Sequence, residues 1–188
     1  MKRISFLSCV AALLLASCAS PALILYTLGT PPIASDTATL GSKPEVIAVA
    51  RVTLPDALDT EDIVVRDGST LRRSTKGRWA SRLSLGITDR LTQRLAERLP
   101  DALVTDRPLS DTPIDRIQIN IGRLDVTAAG TAILDADWMI VPRNPKTPTQ
   151  RDRGHFTATG PVATDQDTVT LLGKVLDQLA AAIQIGRR

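Results

Sequence analysis

Three segments of alternating polarity follow one another between Asp115 and Gly160, and few folds accommodate that succession. In residues 115–127 (DRIQINIGRLDVT), Ile117, Ile119 and Ile121 share one face, opposite Arg116, Gln118 and Asn120. The apolar parity then moves to Leu124 and Val126, and a one-residue slip at Gly122-Arg123 is the mark of a β-bulge. Residues 131–141 place Leu134, Ala136, Trp138 and Ile140 on one face and Asp135 and Asp137 on the other. After a proline-bearing loop at 143–149, residues 150–160 resume the period with Phe156 and Ala158. Successive strand side chains point to opposite faces, so these segments predict an antiparallel meander with one packed and one wet face.

The meander needs a cover. Leu83, Ile87, Leu91, Leu95 and Leu99 repeat every four residues within 79–99, and Pro100 stops the predicted helix. A second helix is expected from Thr164–Asp167, a capping-box pattern, to Ile185. Its stripe is Val169, Leu172, Val175, Leu176, Leu179 and Ile183, and Arg187 and Arg188 suit its C-terminal dipole. Upstream, residues 45–54 (EVIAVARVTL) are nearly continuously apolar, which predicts a central strand with helices on both sides of its sheet. Ile63-Val64-Val65 is a short strand, and Asp67-Gly68 turns it into residues 69–73. Strand, helix, strands, helix in this order predict an α/β domain with a mixed sheet.

The N-terminus assigns a place. Lys2 and Arg3 precede an uncharged run from Ile4 to Ala16, too short to span a bilayer and typical of a signal peptide. Leu15-Ala16-Ser17-Cys18 matches the bacterial lipobox, in which a branched residue and two small ones precede the cysteine that is acylated. The expected division is a lipoprotein signal peptide at 1–17, a lipidated N-terminus with linker at 18–44, and the α/β domain at 45–188. Within 18–44 the residues 25–28 suggest a short edge strand, docked on the sheet, before a Gly-, Pro-, Ser- and Thr-rich stretch.

Cleavage also corrects the charge. Losing Lys2 and Arg3 takes the formal balance from +3 to +1, and the whole chain has five aromatic residues, so a nucleic-acid interface is not expected. Cys18 becomes the single cysteine, which leaves no intrachain disulfide to support the fold.

Catalytic patterns are missing from the sequence. His155, the one histidine, falls on the wet face beside no nucleophile motif. Asp135 and Asp137 are about 7 Å apart on a strand, and are expected to pair across the hairpin with Arg151, Arg153 or His155. No glycine-rich phosphate loop, nucleophile elbow or zinc spacing occurs. The chain therefore reads as a non-enzyme with no metal or other cofactor. One segment is strongly charged: Arg66, Arg72, Arg73, Lys76 and Arg78 stand against Asp67 and end at Trp79. These six basic and aromatic residues are the candidate contact for anionic headgroups or an acidic partner.

Several fragments together carry a family resemblance. They are Tyr26-Thr27-Leu28 soon after the lipobox cysteine, a strand ending in Leu54-Pro55, then Leu58-Asp59 and Ile63-Val64-Val65-Arg66. Arg78-Trp79-Ala80 follows, opening the segment with Leu83, Ile87 and Leu91. In order and spacing this resembles the ABC-type transport auxiliary lipoprotein (PqiC/YmbA-like) family, clearly over residues 18 to 100 and by layout beyond. Ser81 and Arg82 depart from it, standing where the family tends to have an acidic residue and a proline. The resemblance implies a three-layer, anticodon-binding-like α/β domain with a mixed sheet. It also implies an accessory lipoprotein on the inner leaflet of the outer membrane, docking the periplasmic end of an MCE assembly (PqiB-like) and its inner-membrane transport components. A free-standing lipid carrier that encloses phospholipid, and a structural envelope lipoprotein, are the alternative readings.

Overall fold

The computed structural model describes residues 22–29, 44–108 and 111–186. In chain order the strands are β1 (Ile24–Tyr26), β2 (Glu45–Val49), β3 (Asp62–Asp67), β4 (Thr70–Trp79), β5 (Ala102–Thr105), β6 (Asp115–Val126), β7 (Thr131–Pro142) and β8 (Gln150–Thr159). The helices among the described residues are α1 (Leu83–Arg98), between β4 and β5, and α2 (Asp165–Ala182), after β8. The strands form two mixed sheets, one of five strands in the order β5-β2-β6-β7-β8 and one of three in the order β1-β4-β3.

The alternating segments form the expected meander, with β6–β7 and β7–β8 antiparallel. Ile121 faces Ala136 and Arg123 faces Asp135, so Gly122 is the extra residue of the bulge. The slip keeps Leu124 and Val126 in the core after Ile117, Ile119 and Ile121. β2 is parallel to both its neighbours, β5 and β6, as an interior strand should be.

The cover differs from expectation. β2 ends at Val49, five residues short of Leu54, and Thr53 rejoins β6 through a single bridge to Asn120. Both helices share one side: α2 packs on β6, β7 and β8 and against α1, while the alternate residues of the meander remain on an open face. The expectation of helices on both sides of the sheet is therefore corrected. A short β-branched run shows that a strand is buried, but it does not say whether helix, loop or strand buries it.

The predicted stripes supply the core. Leu83, Ile87, Leu91 and Leu95 of α1 meet Leu172, Val175, Leu176, Leu179 and Ile183 in one buried cluster. Full burial of such side chains contributes roughly 1.5–3 kcal/mol each, far above any helix-propensity difference among them. α1 begins at Leu83 instead of Trp79, because Trp79 still belongs to β4 and its N–H donates to the Glu61 carbonyl at 2.7 Å. α2 opens on the capping box, with Asp167 N–H donating to Thr164 Oγ1 at 3.1 Å and Thr164 N–H to Asp167 Oδ2 at 2.9 Å. It ends at Ala182, three residues earlier than expected, while Ile183 stays fully buried. The end of α2 is satisfied from outside: the Arg98 guanidinium donates to the carbonyls of Ala180 and Ile183. Arg187 and Arg188, expected in that role, lie outside the described residues.

Candidate functional site

The small sheet carries the N-terminal segment that leads back to Cys18, so the candidate site is built from its strands. Signal peptide and Cys18 themselves lie outside the described residues. β3 and β4 form a hairpin through Gly68, whose φ of +58° explains the glycine in the turn. β1 docks along the far end of β4 in parallel, pairing Ile24 with Gly77, Leu25 with Arg78 and Tyr26 with Trp79. Three further contacts fix this segment. Ala80 N–H donates to the Tyr26 carbonyl at 2.8 Å, Arg90 Nη1 donates to the Leu28 carbonyl at 2.6 Å, and the Leu28 side chain is buried. The edge strand suggested at 25–28 is thus present at Ile24–Tyr26, and the folded unit begins well before residue 45.

β4 is irregular. Asp62 pairs with Arg78 but Val64 pairs with Arg73, which leaves Ser74 to Gly77 as an excursion. Ser74 Oγ organises it, accepting from Gly77 N–H at 2.8 Å and donating to Asp165 Oδ2 at 2.7 Å. That last bond ties the small sheet to the first turn of α2. A Cβ on Gly77 would stand 2.3 Å from the same carboxylate oxygen, so any larger residue would force the Asp165 side chain aside.

The six residues singled out for contact separate into two groups. Trp79 is 5% exposed and belongs to the core. Arg66 donates to Asp125 Oδ1 at 2.5 Å, and Arg78 forms an ion pair with Asp62 at 3.1 Å, so both hold elements together. Arg72 and Arg73 have side chains 72% and 70% exposed, in pairs with Asp67 (3.5 Å) and Asp62 (3.1 Å). Lys76 is exposed, and its ammonium makes no ion pair among the described residues. Beside them stand Leu23, Ile24, Leu25 and Leu71, four of the five exposed large apolar side chains among the described residues.

Three acidic residues outside the candidate contact hold the elements around this surface. Asp125 receives Arg66 and Arg123, the latter at 2.9 Å; burial pushes its carboxyl up, and the hydrogen bonds from the two guanidinium groups outweigh this and hold it below the usual range. Alternation puts Asp125 on the parity opposite Leu124 and Val126, so the local pattern gave no signal of its burial. Asp59 caps α1 from a distance, with Oδ1 accepting Ser84 N–H at 3.0 Å; slight burial is outweighed by that bond, by the Ser84 hydroxyl and by Arg51 and Arg82. Asp177 of α2 receives Arg90 and Arg94 of α1, again below the ordinary value although burial opposes it.

Elsewhere, the expected cross-strand pairs form between Asp137 and Arg153 and between Asp135 and His155 on the wet face. A shallow cavity of about 560 Å³ lies on that face, lined in part by Gln118, Asn120, Met139 and Arg151. Another of about 500 Å³ lies between Leu28 and α1, where burial and the nearby Asp106 push the Asp89 carboxyl up. Among the described residues no group of three or more His, Cys, Asp or Glu could hold a metal ion, and no helix is long and apolar enough to cross a membrane.

The model of the ABC-type transport auxiliary lipoprotein component matches residues 26–184, nearly all of the described fold. The chain belongs to that family. No curated protein shows significant similarity to it. A solved structure of an uncharacterized protein superposes with a TM-score of 0.68 at 17% identity, covering 86% of this chain and 95% of that one. Protein XCC0632 from Xanthomonas campestris superposes with a TM-score of 0.59 at 13% identity, covering 84% and 90%. At these identities the two structures support the fold alone. Family membership makes this chain a lipoprotein component associated with ABC-type transport.

Proposed function

We propose that the protein is an outer-membrane-anchored accessory lipoprotein of an MCE/ABC-type (Pqi-like) intermembrane lipid transport system, docking the periplasmic end of the MCE assembly without catalysing a reaction. The observation that carries this reading is the lipobox cysteine standing eight residues before the family match begins. Ala19 follows Cys18 in place of the aspartate that commonly retains lipoproteins in the inner membrane, which favours the outer membrane. One acyl chain binds a bilayer marginally, whereas the two or more of a mature bacterial lipoprotein anchor it durably. The docked β1 supports a short leash: Cys18 lies five residues before Leu23, a reach of about 18 Å at most.

Replacement of Cys18 by serine, with palmitate labelling, membrane fractionation and affinity capture of the MCE-domain product, tests the proposal. The wild-type protein should take up label, sediment with outer membranes and co-purify with the MCE protein. The Cys18→Ser protein should be unlabelled and either released to the periplasm or left uncleaved. Mature Cys18→Ser protein recovered with outer membranes would refute the anchor, and failure of the acylated wild type to capture the MCE protein would refute the docking role.

A further inference from the structure

The apolar and basic side chains of the small sheet lie where the anchor must arrive. We infer that the β1–β4 edge is a second membrane contact, in which Leu23 and Leu25 enter the headgroup region of an anionic bilayer while Arg72, Arg73 and Lys76 meet its phosphates. This deepens the anchored-lipoprotein reading and rests on it.

Three observations select a bilayer as the occupant. The first is direction: β1 runs parallel to β4, so the chain enters β1 from the hairpin-turn side, where Arg72 and Arg73 lie. Acylation at Cys18, five residues upstream of Leu23, holds the headgroups within about 18 Å of this edge. The second is register. Leu25 pairs with Arg78 and Ile24 with Gly77, so the chain that enters β1 comes in against the Ser74–Gly77 excursion, which carries Lys76. Leu23 and Leu25 are 57% and 62% exposed, although scattered single exposures are the norm on a protein surface. The third is charge: Arg72, Arg73, Lys76 and Arg78 outnumber the two carboxylates on the hairpin, Asp62 and Asp67. A cationic rim around apolar tips suits an anionic lipid surface, with the effect of each basic residue near it about fivefold in partitioning. A β1 edge that pairs with a second copy of this chain is the competing occupant.

After signal cleavage Cys18 is the single cysteine, so an acylated Leu25→Cys variant has one free thiol for an environment-sensitive probe. Arg151→Cys, on the open face of the five-stranded sheet, is the control. Both are reconstituted in vesicles of phosphatidylethanolamine and phosphatidylglycerol containing a nitroxide-bearing lipid. Quenching should be about threefold greater at residue 25 than at 151, with a blue-shifted emission, as for side chains 5–10 Å into the interface. Reversing Arg72, Arg73 and Lys76 to glutamate should bring the two sites to similar quenching. Equal quenching at 25 and 151 in the wild-type background overturns the inference, as does probe–probe self-quenching at residue 25 that persists on dilution with unlabelled lipid, which assigns the edge to a second copy. Intact mass reports acylation separately. An unacylated Cys18 overturns the anchor alone, and the contrast between residues 25 and 151, measured on versions of both variants that also carry Cys18→Ser and are added to the outside of the same vesicles, still decides for or against the contact.

Discussion

The junction of the two sheets makes a prediction in which the side that is mutated sets the cost. The Asp125 side chain is 7% exposed, while its partners Arg66 and Arg123 are 32% and 48% exposed. Asp125→Asn removes the buried charge and leaves two guanidinium groups that water reaches. The loss is about one charge-assisted hydrogen bond, roughly 1–2 kcal/mol after discounting for that exposure. Replacing both arginines by methionine is worse, because it leaves a buried carboxylate unpaired; breaking a buried pair in this way costs about 3–5 kcal/mol. The pH dependence should also change sign. In the wild type Asp125 titrates below its ordinary value of 3.8, so its stabilisation is present above that value and is lost as pH falls through the lower folded value. In the double arginine variant only burial remains, which raises the folded value. The native state then binds the proton more readily than the unfolded chain, so stability rises as pH falls through the raised value. Urea unfolding at pH 7.5 and 4.5, followed by the near-ultraviolet circular dichroism of the buried Trp79 and Trp138, reads both effects. The reasoning is refuted if Asp125→Asn costs as much as the double variant, or if the double variant, relative to wild type, is not rescued at the lower pH.

Two further substitutions test how the small sheet and α2 are joined. Gly77→Ala forces its Cβ against Asp165 and Ile63 and should cost about 1–3 kcal/mol, with Gly77→Ala in an Asp165→Ala background recovering part of it in the same urea assay. Thr164→Ala removes one half of the capping box and should cost about 1 kcal/mol; a change below a few tenths would show that the first turn of α2 does not depend on it.

The candidate surface was legible in the sequence as a count of charges and became specific only through pairing. Arg66 and Arg72 are six residues apart and equally basic, yet one is locked onto a buried carboxylate and the other stands in solvent. Charge runs do not encode this difference, because Asp125 is 59 residues from Arg66. Trp79 likewise looked like the tip of a basic cluster, and it is part of the core because β4 continues to that residue before α1 begins.

Local periodicity determined what it could reach by itself. The meander, its bulge at Gly122, both apolar helix stripes and the capping box at Thr164 are set by neighbours a few residues apart, and all are present in the fold. The lipobox at Cys18 is likewise a short, local signal. Tertiary structure alone decided that both helices share one face of the five-stranded sheet, that β1 joins β4, and which cations remain free. Those outcomes depend on contacts between residues tens of positions apart, where shape and burial select the partner and no short-range period records the choice.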